Sequence, residues 1–277
     1  MKMVLPSIVQ AVAVFFFLHF CAAADPIPYG AIVLGYTKCV INEHPVAADI
    51  APGQNGNYKW FNGCWYGIST PPSPDLYTTT DGALTLSLGG KLASTPLDFS
   101  DGLLPLLPGD KGFYVEFDVQ LSDNDPDHFP AVFLMPSEHC FKKLDCYPGD
   151  PPHFERWMEL DVDEGGYGPG QLGTVHDWKG ISPQYQSNQN QFNASNRAVS
   201  RRDKHTFGAS YDPIKNWVTW YVDGVKTLYA KAPPIGVKQH FYLIINAATH
   251  KKKLPYHMYV SGVRAYVPPS SPLPEKQ

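Results

Sequence analysis

From Gly112 to Leu121 apolar and polar side chains alternate without a break. Phe113, Val115, Phe117, Val119 and Leu121 fall on one side, and Tyr114, Glu116, Asp118 and Gln120 on the other. Because successive strand side chains point to opposite faces, this period of two predicts a half-buried β-strand. Residues 83–88 alternate Leu with Thr and Ser in the same way. Segments 206–211, 218–222, 225–229, 241–247 and 258–267 are further candidate strands. Asp223-Gly224 lies between two of them, and Asp-Gly is a preferred pair for a tight hairpin turn. No segment carries a convincing helical period. Many short strands with Gly- and Pro-rich connections predict an all-β chain of two packed antiparallel sheets.

Composition sharpens this picture. Of 277 residues, 27 are Pro and 23 Gly, and aromatics make up 13%, a balance that excludes a helical bundle or coiled coil. The hydrophobic share of 43% against 17% charged supports a packed core. A net charge of −4 gives no basic footprint for nucleic acid or an anionic membrane, and favours a neutral partner. Residues 1–24 carry Lys2, an apolar stretch through Val12, Phe15, Phe16, Phe17 and Leu18, and then Ala22-Ala23-Ala24. That order reads as a signal peptide cut after Ala24, so the mature chain is expected to be secreted and extracellular. An uncleaved anchor is the competing reading, but 17 mostly apolar residues interrupted by Gln10 and His19 are short for a span. Residues 25–267 then form one domain, and the proline-rich tail 268–277 is expected to be disordered.

Removing the leader takes Cys21 and leaves Cys39, Cys64, Cys140 and Cys146, an even number that reads as two disulfides in an exported chain. Of the three connectivities, Cys39 with Cys64 and Cys140 with Cys146 keep both loops local. No Cys-x-x-Cys spacing suggests a metal, and no metal ligands are assigned. Asn193-Ala194-Ser195 is a glycosylation sequon. Ser-hydrolase elbow, zinc-helix and phosphate-loop motifs are absent from the sequence.

The candidate chemistry lies in Glu159-Leu160-Asp161-Val162-Asp163-Glu164. In a strand Glu159, Asp161 and Asp163 share one face, while Leu160 and Val162 point to the core. Carboxyls so close cannot all ionise freely, which prepares one as an acid and another as an ionised base or nucleophile. A one-residue bulge after Asp161 would return Glu164 to the acidic face. Glu159 and Glu164 would then act like residues i and i+4, with Cα atoms roughly 13 Å apart at about 3.3 Å per residue.

These residues resemble the Glu-x-Asp-x-x-Glu signature of glycoside hydrolase family 16, which includes laminarinase-type endo-β-1,3-glucanases. Phe129-Pro130-Ala131-Val132-Phe133-Leu134-Met135-Pro136 looks like the family's preceding strand. Gly173-Thr174-Val175-His176-Asp177-Trp178 looks like its following strand, and His205-Thr206-Phe207 through Trp220-Tyr221-Val222-Asp223-Gly224 like its later hairpin. The resemblance covers about residues 110–267 and implies a concanavalin A-like jelly roll. It also implies a retaining glycosidase with Glu159 as nucleophile, Asp161 as its electrostatic assistant and Glu164 as acid/base. His176 would face the same cleft, or else be a structural histidine. Asp163 departs from the family, where this position is usually apolar. In an unbulged strand Asp163 would replace Glu164 as the acid, one methylene short.

Trp157, Tyr167 and Trp178 are candidate sugar platforms, Trp60 and Trp65 weaker ones, and Trp217 and Trp220 fit core packing better. Residues 138–152 are read as a disulfide-stapled wall of the cleft. No cofactor is expected, and a structural calcium is compatible with the resemblance though no acidic loop demands it. The expected partner of the monomer is a polysaccharide, β-glucan first. A non-catalytic β-glucan lectin on the same fold is the alternative, and a galactan or mixed-linkage glucan the alternative substrate.

Overall fold

The computed structural model describes residues 26–54, 56–63, 71–96, 102–139, 144–165, 170–193, 199–250 and 254–271, with side chains 189–193 left aside. Several expectations therefore lie outside the described residues: the leader 1–24, Cys64 and Cys140, Trp65, Tyr167, the side chain of Asn193 and residues 272–277 of the tail. Among the described residues seventeen strands build two sheets. In chain order these are β1 (Lys38–Glu43), β2 (Ile50–Ala51), β3 (Trp60–Asn62), β4 (Tyr77–Thr80), β5 (Ala83–Ser87) and β6 (Lys91–Ala93). Then come β7 (Leu107–Pro108), β8 (Phe113–Leu121), β9 (His128–Pro136), β10 (Glu155–Glu164), β11 (Leu172–Ile181) and β12 (Gln184–Asn193). The chain finishes with β13 (His205–Asp212), β14 (Trp217–Val222), β15 (Val225–Lys231), β16 (His240–Thr249) and β17 (His257–Val267).

One sheet, here the outer sheet, runs β15-β14-β13-β8-β17-β5-β4, with β1 also on β17. The other, the cleft sheet, runs β12-β11-β10-β9-β16-β6-β3-β2, with β7 also on β16. Every pairing is antiparallel except β2 with β3. Between the sheets lie Phe113, Val115 and Phe117 of β8, Met158, Leu160 and Val162 of β10, and Leu243 and Ile245 of β16. Each such side chain contributes about 1.5–3 kcal/mol through removal from water. The Asp-Gly turn between β14 and β15 has both residues at positive φ, 50° and 71°, as a tight hairpin of that hand requires.

Three expectations change. First, β8 is not half-buried: Tyr114, Glu116 and Asp118 on its other face are covered as well. A five-residue helix, α1 (Tyr29–Val33), lays Ala31 against Tyr36, Tyr114, Tyr221 and Tyr266, while Arg264 pairs with Glu116 and Asp118. Second, the strand β12 occupies a polar stretch that has no apolar period to announce it. It pairs with β11 throughout, from Leu172 opposite Asn193 to Ile181 opposite Gln184. Third, the boundary at residue 267 is too early. Ser271 is buried and its carbonyl accepts from the Lys38 ammonium at 3.0 Å, so residues 268–271 belong to the packed domain. Cys39 and Cys146 are both exposed.

Candidate active site

β10 runs between β9 and β11 in the cleft sheet. Its alternation sends Met158, Leu160 and Val162 into the core and Trp157, Glu159 and Asp161 to the opposite, open face. Leu160 pairs with Leu134 and Asp161 with Phe133, but the next pairs are Asp163 with Val132 and Glu164 with Ala131. Val162 is therefore the extra residue of a β-bulge. The bulge exchanges the parity of the two acids that come after it. Asp163 now stands opposite the core residue Val132, and Glu164 opposite Ala131 on the open face.

A bulge leaves backbone carbonyls without ladder partners, and buried carbonyls need donors. Trp220 of β14 reaches across the sandwich and donates its indole N–H to the carbonyl of Asp161 at 2.7 Å. Gln171 donates to the carbonyl of Val162 at 2.9 Å. Gly173 makes room for that indole, since a Cβ there would stand 2.4 Å from Trp220 Nε1. Gly165 extends the pairing with β9 by one residue, donating to the carbonyl of Pro130 at 2.8 Å where a Cβ would meet the Pro130 ring at 2.4 Å.

Asp163, 2% exposed, does not line the cleft. Its carboxylate takes both arms of the Arg201 guanidinium, which also donates to the carbonyl of Gly170 at 2.8 Å and of Glu164 at 3.3 Å. Burial raises the pKa of Asp163, and the Arg201 charge and hydrogen bond oppose that rise. Of the two neighbouring acids, the structure turns Glu164 to the cleft.

The cleft has a volume of about 340 Å³, and Glu159, Asp161 and Glu164 line it together with Phe129, Phe133, Trp178, Tyr185 and Asn246. Trp178 donates its indole N–H to Glu159 Oε2 at 2.6 Å. His176 Nε2 lies 3.2 Å from Asp161 Oδ2, and its Nδ1 is held at 2.8 Å by the Ser187 hydroxyl. Thr174 donates to Glu164 Oε2 at 3.1 Å. Strand alternation explains the set, because Thr174, His176 and Trp178 share one face of β11 and sit opposite Asp161, Glu159 and Trp157 of β10.

Each acid is pushed up by a different balance. Burial raises Glu159, while the nearby His176 and the Trp178 hydrogen bond hold it back. Burial and then the Glu159 charge raise Asp161 well above the usual carboxylate range. Glu164 is pushed up to about 9 by burial and by the Asp161 charge, against the Thr174 hydrogen bond. At Glu159 the indole donor and the imidazole charge both oppose the rise that burial causes. Glu164 is prepared to carry a proton at neutral pH.

The aromatic candidates separate. Trp178 is partly exposed, but Trp157 is only 2% exposed, stacked between His139 (centroids 3.3 Å apart) and Trp178 (5.7 Å) with Tyr185 edge-on at 5.0 Å. Trp157 therefore supports the cleft floor and offers little surface to a sugar. Trp60 is fully buried in the core, and Trp65 lies outside the described residues. Beneath Trp157, His139, Asp145 and Glu155 bring ligand-type atoms within 4.8 Å of one another, a His–carboxylate group supplied partly by the 138–152 insertion. Within it His139 Nδ1 lies 2.5 Å from Asp145 Oδ2, and Tyr185 donates to Glu155 at 2.7 Å. Sequence reasoning missed Tyr185, Asn246 and Arg201. Thr174 could have been found, since it lies two residues before His176 on the same strand face.

No protein-family model and no curated protein sequence matches the chain. Solved structures do. The endo-β-1,3-glucanase of Pyrococcus furiosus aligns with a TM-score of 0.54 at 17% identity, covering 83% of this chain and 94% of that one. The laminarinase catalytic domain of Thermotoga maritima aligns at 0.53 and 15% identity, covering 83% and 97%. A GlcNAcα1-4Gal-releasing endo-β-galactosidase from Clostridium perfringens aligns at 0.53 and 11% identity, covering 86% of this chain and 64% of that one. The chain thus has the two-sheet jelly-roll fold of these structures, the architecture that its acidic signature implied by resemblance.

Proposed function

We propose that the mature chain is a secreted, retaining endo-glycosidase that hydrolyses β-glucan, with β-1,3 linkages first. One observation carries this reading: Glu159 and Glu164 line one cleft, the first accepting the Trp178 indole N–H, which opposes the rise that burial causes, and the second pushed up to about 9 and so prepared to carry a proton. In the first step a Glu159 carboxylate oxygen attacks the anomeric carbon, and Glu164 gives its proton to the departing glycosidic oxygen. In the second step Glu164, now ionised, removes a proton from water, whose oxygen displaces Glu159 from the sugar. Asp161 stands between the two, and burial keeps it neutral enough to limit repulsion along the row. Trp178, half-buried beside Glu159, and the partly buried Phe129 supply flat apolar surface for pyranose rings. The Asn246 amide oxygen, 4% exposed with no partner among the described residues, supplies an acceptor for a sugar hydroxyl.

The glucanase and laminarinase neighbours support a β-glucan, while the endo-β-galactosidase neighbour makes galactan the substrate to test beside it. The test is reducing-sugar release from laminarin by the purified mature protein, run beside mixed-linkage glucan, xyloglucan and agarose. Activity on laminarin that Glu159→Gln abolishes supports both the reaction and the nucleophile. Silence on every polymer with retention on an insoluble glucan column would replace the enzyme by a lectin.

A further inference from the structure

We propose that Arg201 is a positioning residue: by clasping Asp163 between the sheets it locks β10 in the bulged register that turns Glu164 to the cleft. The inference rests on the glycosidase reading of that cleft. It adds a residue that touches neither the substrate nor the carboxyl groups of the three acids that line the cleft.

The sequence Asp161-Val162-Asp163-Glu164 is compatible with two registers. Without a bulge, Asp163 follows Asp161 onto the open face and Glu164 points inward; with one, the two exchange places. Both alternatives bury a carboxyl, so local alternation does not choose between them. The choice is made by what receives the buried acid. A carboxylate that is 2% exposed is tolerable only when paired and hydrogen-bonded. Arg201 supplies a two-armed pairing to Asp163 and uses the same guanidinium on the carbonyls of Glu164 and Gly170. A planar fork with several fixed donors can do this, and a single ammonium cannot.

The arginine is itself fixed. Its carbonyl accepts from the Leu121 amide at the end of β8 at 2.6 Å, and its guanidinium carbon lies 5.0 Å from the centre of the Phe207 ring on β13. The clasp therefore refers the bulge to the outer sheet. Trp220 and Gln171 also brace the bulge, but they hold the carbonyls of Asp161 and Val162, at and before the extra residue. Only past the extra residue is the parity of Asp163 and Glu164 decided, and there Arg201 grips the Asp163 side chain.

Removing the guanidinium deprives the buried Asp163 of its ion pair and leaves it the Leu172 amide donor, a deficit relieved by slipping to the cleft and drawing Glu164 inward. Replacing both partners by apolar side chains removes the conflict, because buried ion pairs exchanged for hydrophobic residues of similar size are often neutral or stabilising. The test compares Arg201→Met with the double variant Asp163→Leu/Arg201→Met. Each is assayed on laminarin and on a laminari-oligosaccharide carrying a dinitrophenolate leaving group, which departs without protonation. Because positioned acid catalysis contributes roughly 10²–10⁴-fold, Arg201→Met should lose about 100-fold or more in kcat/KM on laminarin but under about tenfold on the activated substrate. The double variant should recover to within about tenfold of wild type on laminarin. Parallel losses on both substrates, or a double variant as impaired as the single one, would overturn the proposal. Should Arg201→Met be insoluble, Arg201→Lys, which keeps the charge without the fork, carries the same comparison. If the wild-type protein cleaves neither substrate, the glycosidase reading fails. The crystal structure of the variant then still decides: Glu164 facing the cleft without Arg201 refutes the clasp, and Asp163 in its place supports it.

Discussion

Trp178 and Glu159 form the contact on which the ionisation of the cleft turns. An indole N–H at 2.6 Å favours the charged form of the carboxylate, so Trp178→Phe should raise the pKa of Glu159. In kcat/KM against pH the acidic limb then moves upward. Hydrogen bonds to charged groups are worth about 1.5–3 kcal/mol, so on the acidic limb the loss is expected to reach about tenfold or more and to shrink as pH rises above it. The basic limb, set by Glu164 losing its proton, should stay near pH 9 in both proteins. An acidic limb unmoved by the substitution would remove Trp178 from the control of Glu159. At this scale the sequence is informative where spacing alone acts. Glu159 and Asp161 share a face by simple alternation, and their neighbours Thr174, His176 and Trp178 share one likewise. It is uninformative about Asp163 against Glu164, because the deciding guanidinium comes from residue 201. The same holds for Trp157, which the register places on the open face but His139, from a distant insertion, covers.

Among the elements, the bulged strand β10 depends on a partner in the opposite sheet. The indole of Trp220 satisfies a bulge carbonyl only because position 173 lacks a side chain. Gly173→Ala puts a methyl group 2.4 Å from Trp220 Nε1, where neither the strand backbone nor the buried ring has room to yield. Overpacking of this kind costs about 1–3 kcal/mol, so the urea midpoint should fall with the m-value unchanged. Gly53→Ala, whose added carbon meets nothing within 4 Å, is the control that should leave the midpoint in place. A Gly173→Ala midpoint equal to wild type would mean that the indole is free to move and does not brace the bulge. The strands that sequence revealed are those with one apolar face, such as β5, β14 and β17. The strand β12 was not legible, because Gln184-Tyr185-Gln186-Ser187-Asn188 is polar on both faces and its place is set by ten cross-strand pairs with β11.

For the whole molecule, two packed sheets were readable from alternation, but their short strands and the helical cover on the outer sheet were not. The helix α1 is five residues long, and β2, β3, β6 and β7 have only two or three each, too short to carry a period. The polar face of β8 looked solvated because nothing local shows that Arg264, 146 residues from Asp118, will be paired there. The same long-range burial governs how the fold responds to pH. Glu164, Glu159, Asp161 and Asp163 all hold their protons more tightly when folded than an exposed carboxyl does. For a carboxyl raised in the folded state, the native protein binds more protons than the unfolded chain between the two pKa values, so stability falls as pH rises across that window. For Glu164 the window runs from 4.5 to about 9. Glu164→Gln keeps the shape and removes the titration. The variant and wild type should be about equally stable near pH 4, diverge in favour of the variant as pH rises, and hold a constant difference above about pH 9. Since a tenfold change in proton affinity is worth about 1.4 kcal/mol, the plateau should be on the order of a few kcal/mol. Thermal or urea unfolding at pH 4, 6, 8 and 10 measures it. A difference that does not grow with pH would mean that Glu164 is hydrated in the free protein, and the proton that the proposed reaction needs would then have to be held there by the bound glycan.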